Sequence, residues 1–223
     1  MYQDTNYFQD KEPPQGGTAL AHFKRAAKAE KPEETLTTLF LQPEDIPAFL
    51  KLQEKVLESL PLHQKSFLKE RGESDLAVHL GSRMPIIGVK NEAGELVAQC
   101  LVAYPSNREA VRNLHGYPIS DMEMATTAVV QSLCVDPAYK GRGLTEHVLD
   151  TAKAVAAQSG HVQLIAKVND RNAGSRAAFL KNSFSVAAQG VDPRELYPVS
   201  YFRYSVFGCN ATRQAVALEA KIA

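Results

Sequence analysis

The chain has 223 residues, 44% of them apolar, enough for one substantial core, and its 25 lysines and arginines balance 25 aspartates and glutamates. A balanced chain offers no net field to nucleic acid or to an anionic membrane surface, so any anion site must be local. Cys100, Cys134 and Cys209 are odd in number, widely spaced and lack any CxxC or Cys/His metal spacing, so they read as free thiols of a reducing compartment, with no metal expected.

Residues 1–35 carry Asp4, Asp10 and Glu12 but no apolar signal core, and about 18 consecutive apolar residues occur nowhere, so a cytoplasmic protein without a membrane partner is expected. The same stretch holds Pro13-Pro14, Gly16-Gly17 and a basic run, ALAHFKRAAKAEK, in which only Leu20 and Phe23 are large and apolar. It reads as a flexible or peripheral N-terminal extension, the basic run being a solvated helix or a mobile arm. A domain over residues 36–208 and a terminal helix over residues 209–223 complete the division.

LTTLFL, from Leu36, suits a first strand, and Ile46, Phe49, Leu50, Gln53, Val56, Leu57 and Leu60 follow at helical spacing. A second helical segment is predicted between Ser66 and Leu80, interrupted near Gly72. MPIIGVK, NEAGE and LVAQCLVAY make a strand, a tight turn and a strand, hence a hairpin. Residues 105–125, with His115, Tyr117 and Glu123, fit no single period and predict a long, substrate-facing loop. TAVVQSLCV is apolar on both faces and marks a central strand. A helix, the strand VQLIAKV, the helix NAGSRAAFLKN and the strand YPVSYFRYSVF follow, giving the order β-α-α-β-β-β-α-β-α-β with room for one more strand over residues 185–191.

Between the central strand and its helix lies VDPAYKGRGLTEHVL. A helix start presents unpaired N–H groups and the positive end of its peptide dipoles, and Gly141 and Gly143 let phosphate oxygens come close to the main chain. Lys140 and Arg142 add charge at the rim, as a pyrophosphate would use. A bare GxG also suits an ordinary tight turn. GRGLTEH lacks the Lys and Ser/Thr of GxxxxGK[ST] and the third glycine of GxGxxG, and it follows a mid-sheet strand rather than the first one.

The run LCVDPAYKGRGLTEHVLDTAKAVA resembles the acyl-CoA-binding segment of the GNAT superfamily of N-acyltransferases, Q/R-x-x-G-x-G/A after a strand ending Leu-x-Val-x-Pro. Lys140 stands at the Q/R position, Gly143 at the glycine and Thr145 at the final G/A. NAGSRAAFLKNSF resembles the family's N-x-x-S-x-x-x-Y-x-x-x-G-F segment: Asn172, Ser175 and Phe184 match, while Phe179 and Ser183 replace Tyr and Gly. The resemblance covers residues 36–207. It implies an α/β (α+β) fold whose mixed, mostly antiparallel central sheet of six to seven strands is flanked by helices and splays at its centre.

It further implies an acetyltransferase using acetyl-CoA and no metal. The pantetheine arm would pair with the backbone of Leu133, Cys134 and Val135. The pyrophosphate would meet Lys140 and the main chain of Gly141, Arg142, Gly143, Leu144 and Thr145, and Asn172, Arg176 and Phe179 would line the cofactor. The acceptor is expected to be a small-molecule or peptide amine, the protein a monomer or homodimer, and nucleic acid no partner. Val135 N–H is the expected oxyanion donor, and Glu123, just before the central strand, the candidate base, with His115, Asp121 and Tyr117 in reserve. Phe179 cannot protonate a departing thiolate, a task that would pass to water, Tyr104 or Tyr117. A non-catalytic acyl-CoA binder of the same fold is the alternative.

Overall fold

The computed structural model describes residues 19–25, 34–81, 84–105 and 114–206. One eight-stranded sheet runs through the molecule in the order β1-β2-β3-β4-β5-β6-β8-β7. Its strands are β1 Ala19–Arg25, β2 Glu34–Phe40, β3 Ile86–Lys90, β4 Leu96–Ala103, β5 Thr127–Val135, β6 Gln163–Asn169, β7 Ser185–Val191 and β8 Pro198–Ser205. Every neighbouring pair is antiparallel except β5 with β6, which the crossover helix α4 Leu144–Gln158 joins. The mixed, mostly antiparallel sheet expected from the sequence is therefore present. One strand goes beyond the six or seven expected: Ala19–Arg25, part of the run read as a helix or mobile arm, pairs with β2 from Ala19↔Leu39 to Arg25↔Glu34. A strand edge needs only backbone groups from its partner, so the run pairs without the alternation that would announce it.

Helices cover both faces. On one, Leu144, Val148, Leu149, Ala152 and Ala156 of α4 lie buried against Ile87, Val89, Cys100, Ala128, Val130, Leu164 and Ala166. On the other, α1 Ile46–Ser59 packs Ile46, Phe49 and Leu52 with Leu76 of α2 Glu73–Gly81 against Ile86, Leu101 and Cys134. Val129 and Ile165 point to that second face while their neighbours in sequence point to the first, the period-two alternation of a sheet buried on both sides. The expected second helical segment divides into a 3-10 turn, Leu62–Phe67, and α2, with Gly72 in the break.

Of residues 105–125, Leu114, Tyr117, Ile119 and Met124 are buried against Val129, Ile165, Val199 and Tyr201, and Tyr201 donates its hydroxyl to the His115 carbonyl. The described part of this stretch is thus pinned to the sheet by its apolar residues, and a short helix, α3 Asp121–Ala125, leads into β5. The terminal helix expected over residues 209–223, and Cys209 with it, lies outside the described residues. Among the described residues no helix is long and apolar enough to cross a membrane.

Strand β3 is tightly covered at Gly88 by Leu41 and Leu96. A Cβ on Gly88 would stand 2.4 Å from Leu41 Cδ2 and 2.9 Å from Leu96 Cδ1, both in buried side chains. Gly88→Ala is expected to cost about 1–3 kcal/mol through overpacking. The reading is a lower urea midpoint at unchanged slope.

Candidate active site

Parallel pairing between β5 and β6 lasts three residues, Thr127↔Gln163, Ala128↔Leu164 and Val129↔Ile165, after which the strands part. The cause lies in β5, where the register against β4 passes from Leu101↔Gln131 to Gln99↔Cys134, so β5 holds one residue more than β4 across this step. Ser132, in that bulge, has φ +48°, and a bulge bends and over-twists its strand. Asp136 N–H donates to Val97 O of β4 at 2.9 Å. Alternation along the strand then turns the N–H and C=O of Val135 and Leu133 toward the gap. A cavity of about 400 Å³ opens there.

At the far end of β5, the Asp136 side chain accepts from Ala138 N–H at 2.9 Å and takes the Lys55 ammonium of α1 at 2.6 Å. Gly141 and Gly143 both adopt left-handed backbone, φ +78° and +72°, and Gly143 is the N-cap of α4. A Cβ on Gly141 would meet nothing within 4 Å, so the junction's face is open. Lys140, Gly141, Gly143, Leu144 and Thr145 line the cavity. Together they form a helix N-terminus with orphan donors, suited to an anion. Arg142 is not in the lining. Its guanidinium donates to Glu34 of β2 at 2.9 Å and lies 4.6 Å over the Tyr139 ring, whose hydroxyl donates to the same carboxylate at 2.9 Å. The expected rim cation is instead a brace between the loop and β2.

Across the gap, the Asn172 side chain caps α5 Ala173–Lys181 by accepting Ser175 N–H at 3.0 Å, and Asn172, Ser175 and Phe179 line the cavity. Phe179 is 3% exposed, its ring edge-on to Phe184 and stacked on Phe202. Arg176 turns away, donating to the Asp170 carbonyl at 3.2 Å. The Cys134 side chain packs under α1, where burial pushes its thiol up to about 12, and the residue does not line the cavity.

Glu123 is not brought to the cavity. It is exposed, and its Oε2 accepts Ser120 N–H at 3.0 Å and the Ser120 hydroxyl at 2.7 Å, closing a capping box on α3. Those bonds hold its carboxyl below the ordinary range. Nor do His115, Asp121, Tyr117 or Tyr104 line the cavity: Tyr117 packs on Tyr201, and Tyr104 stacks on His161 and hydrogen-bonds with Ser159 at 2.9 Å.

The other half of the cavity has a chemistry absent from the sequence-based site. Arg71, between the 3-10 turn and α2, donates its N–H to Gln53 Oε1 at 2.9 Å and accepts from Gln53 Nε2 at 3.1 Å. Its guanidinium donates to Gln131 Oε1 on the cavity floor. Lys69 pairs with Glu195 at 3.0 Å, and the Lys167 ammonium on β6 pairs with buried Asp192 at 2.5 Å. Burial pushes the Asp192 carboxyl up, but Lys167 and the N–H groups of Glu195 and Arg194 outweigh it and hold the group below its ordinary 3.8. Burial, with Asp192 and Glu195 beside it, raises the Tyr197 hydroxyl. Arg71 and Gln131 stand 60 residues apart, Lys69 and Glu195 126, and Lys167 and Asp192 25, so no local spacing could have assembled these side-chain pairs.

The model of the acetyltransferase (GNAT) family matches residues 51–184, more than half the chain, and the protein belongs to that family. No curated protein sequence matches it significantly. Among solved structures, it is similar to a GNAT superfamily phosphinothricin acetyltransferase from Sinorhizobium meliloti, in complex with acetyl-CoA, at 16% identity and TM-score 0.57, over 79% of this chain and 91% of that one. The ribosomal-protein-S18-alanine N-acetyltransferase of Escherichia coli is similar at 16% identity and TM-score 0.57, over 78% and 96%. An N-acetyltransferase from Staphylococcus aureus Mu50 gives 15% identity and TM-score 0.57, over 77% and 98%.

The Lys167–Asp192 pair yields a pH test. Asp192→Asn leaves an uncompensated cation in the cavity wall and is expected to cost about 3 kcal/mol at pH 7. Because the folded carboxyl titrates below 3.8, the wild type holds its full advantage above that pH and loses it as pH falls through the depressed folded value. Denaturation of the two proteins from pH 7 to pH 3 should therefore converge only below about pH 4.

Proposed function

We propose that the protein transfers the acetyl group of acetyl-CoA to an amine by direct attack on the thioester. The observation that carries this reading is the parting of β5 from β6, which opens one cavity between a glycine-capped helix N-terminus and a polar floor at Gln131. Lys140 and the main chain of residues 141–145 receive the pyrophosphate, though Arg142 contributes no side chain. The pantetheine arm pairs with the backbone of Leu133 and Val135, as a further strand would. Asn172 and Phe179 flank it, and Arg176 is left to the fold.

In the transfer, the amine nitrogen bonds to the thioester carbon, the C–S bond breaks, and the amine proton leaves to water. Val135 N–H, or Leu133 N–H nearer the point of parting, donates to the oxyanion, and one such donor is worth roughly 10² to 10³ in rate. Glu123 is a poor base, since its carboxylate is committed to α3 and stands outside the cavity. A coenzyme A thiol with pKa near ~8.5 leaves more readily than the competing amine, so the thiolate can take its proton from solvent.

Gly143→Glu puts a carboxylate and a strained left-handed backbone at the phosphate end. It is expected to weaken acetyl-CoA binding about 100-fold by calorimetry while the thermal melt persists. The transfer itself is tested by CoA release across a panel of amines. The wild type should turn over, and Phe179→Tyr should leave turnover unchanged or raise it by less than about tenfold, below the usual range for a positioned acid. The alternative, an acyl-CoA binder without catalysis, is favoured by the hydroxyl-free Phe179. It prevails if the wild type binds acetyl-CoA, acetylates nothing, and gains transfer on Phe179→Tyr.

A further inference from the structure

Given acetyl transfer as proposed above, we infer that the Ser132 hydroxyl is a second donor to the tetrahedral oxyanion, beside the main-chain N–H of β5. Ser132 stands in the bulge of β5, just past the Val129↔Ile165 pair at which β5 leaves β6. Its φ of +48° lies in the left-handed region, which glycine enters freely and a residue with a Cβ enters at a cost. Among the described residues three non-glycines adopt such backbone, Ser132, Ser183 and Leu196, and Ser132 is the one that lines the cavity. Glycine would relax the bulge, as it does the left-handed turns at Gly94 and Gly160. Serine here keeps a side chain where the backbone alone favours none, and strain of this kind concentrates at functional sites.

That side chain is available to a ligand. Ser132 is half-buried, and among the described residues its hydroxyl has no hydrogen-bond partner. The polar groups around it are committed: Gln131 accepts from Arg71, Asp192 takes Lys167 and Glu195 takes Lys69. Among the described residues no histidine lines the cavity, and its two carboxylates are held in those ion pairs, so the hydroxyl serves as a donor rather than as an activated nucleophile.

Its position selects the group it meets. With the phosphates at residues 140–145 and the arm along Val135 and Leu133, the next residue toward the parting is Ser132, at the thioester end. The amine nitrogen bonds to the thioester carbon, the carbonyl π pair moves onto oxygen, and Ser132 Oγ–H donates a hydrogen bond to it. The pair returns as the C–S bond breaks, and the hydroxyl keeps its proton throughout. An oxyanion accepts more than one hydrogen bond, and a single backbone N–H cannot fill that capacity.

The test compares Ser132→Ala and Ser132→Gly with the wild type by CoA release, using the amine of the panel that turns over fastest, by calorimetry with acetyl-CoA and by thermal melting. Both variants lose the hydroxyl, but alanine demands the same left-handed backbone as serine whereas glycine relaxes it. Both should lose about 100-fold in kcat while acetyl-CoA affinity stays within about twofold. Ser132→Gly should melt at or above the wild-type temperature. Ser132→Ala turning over at nearly the wild-type rate overturns the assignment, because a loss confined to Ser132→Gly belongs to the backbone. Weakened acetyl-CoA binding in both variants, in proportion to the lost turnover, overturns it too and makes Ser132 a shaper of the arm's path. Acetyl transfer stands in either case. A wild type that binds acetyl-CoA but acetylates no amine instead defeats acetyl transfer itself, and this assignment with it.

Discussion

The active region follows from one departure from regular sheet geometry: β5 and β6 pair for three residues and then separate. Backbone donors and acceptors that lose a strand partner must find another or face solvent. Between two helix-covered faces, the separation creates a slot with hydrogen-bonding walls at the centre of the sheet. The extra residue of β5 at Ser132 directs the strand away from β6, and its left-handed φ of +48° is a local strain that the surrounding β4 pairing holds in place. A flat, fully paired sheet from the same elements would bury these groups against each other and leave no room for an extended arm.

Keeping the slot useful requires that its two ends stay put, and each is braced from outside. At the glycine end, Lys55 reaches from α1 to Asp136, and Glu34 of β2 holds both Tyr139 and Arg142. Glycines make the close approach possible but cannot hold a loop by themselves, so the surrounding side chains carry that task. This explains why Arg142 points at protein: a guanidinium stacked on Tyr139 and bonded to Glu34 gives the main chain a fixed shape, while the helix N-terminus already supplies positive potential. At the other end, Gln53 and Gln131 do for Arg71 what Glu34 does for Arg142.

What could be read from the sequence was what depends on neighbours along the chain. The hairpin around NEAGE, the buried β5 and the glycine-capped start of α4 each declare themselves within a dozen residues. β1 did not, because a peripheral strand gains from backbone pairing and its residues show no alternation. Glu123, expected as a base, instead closes a capping box outside the cavity, and the spacing Ser120-x-x-Glu123 that announces such a box is itself legible in the sequence. Arg71, by contrast, meets Gln131 across 60 residues and through the fold alone.

Phe179 links the slot to the core. Where the resemblance expects a hydroxyl, this chain has a ring packed with Phe184 and Phe202, and Phe184 in turn lies against Tyr204, over which the Lys153 ammonium sits at 4.8 Å. The exchange trades a proton donor for a buried aromatic wall beside the path proposed for the pantetheine arm. In a less polar surrounding, the N–H groups of β5 interact more strongly with charge developing on a thioester oxygen than they would in water. A good leaving group needs little acid assistance, whereas a tetrahedral oxyanion needs its donors throughout. For thioester chemistry, then, a wall that strengthens the donors can serve where a hydroxyl would have served the leaving group.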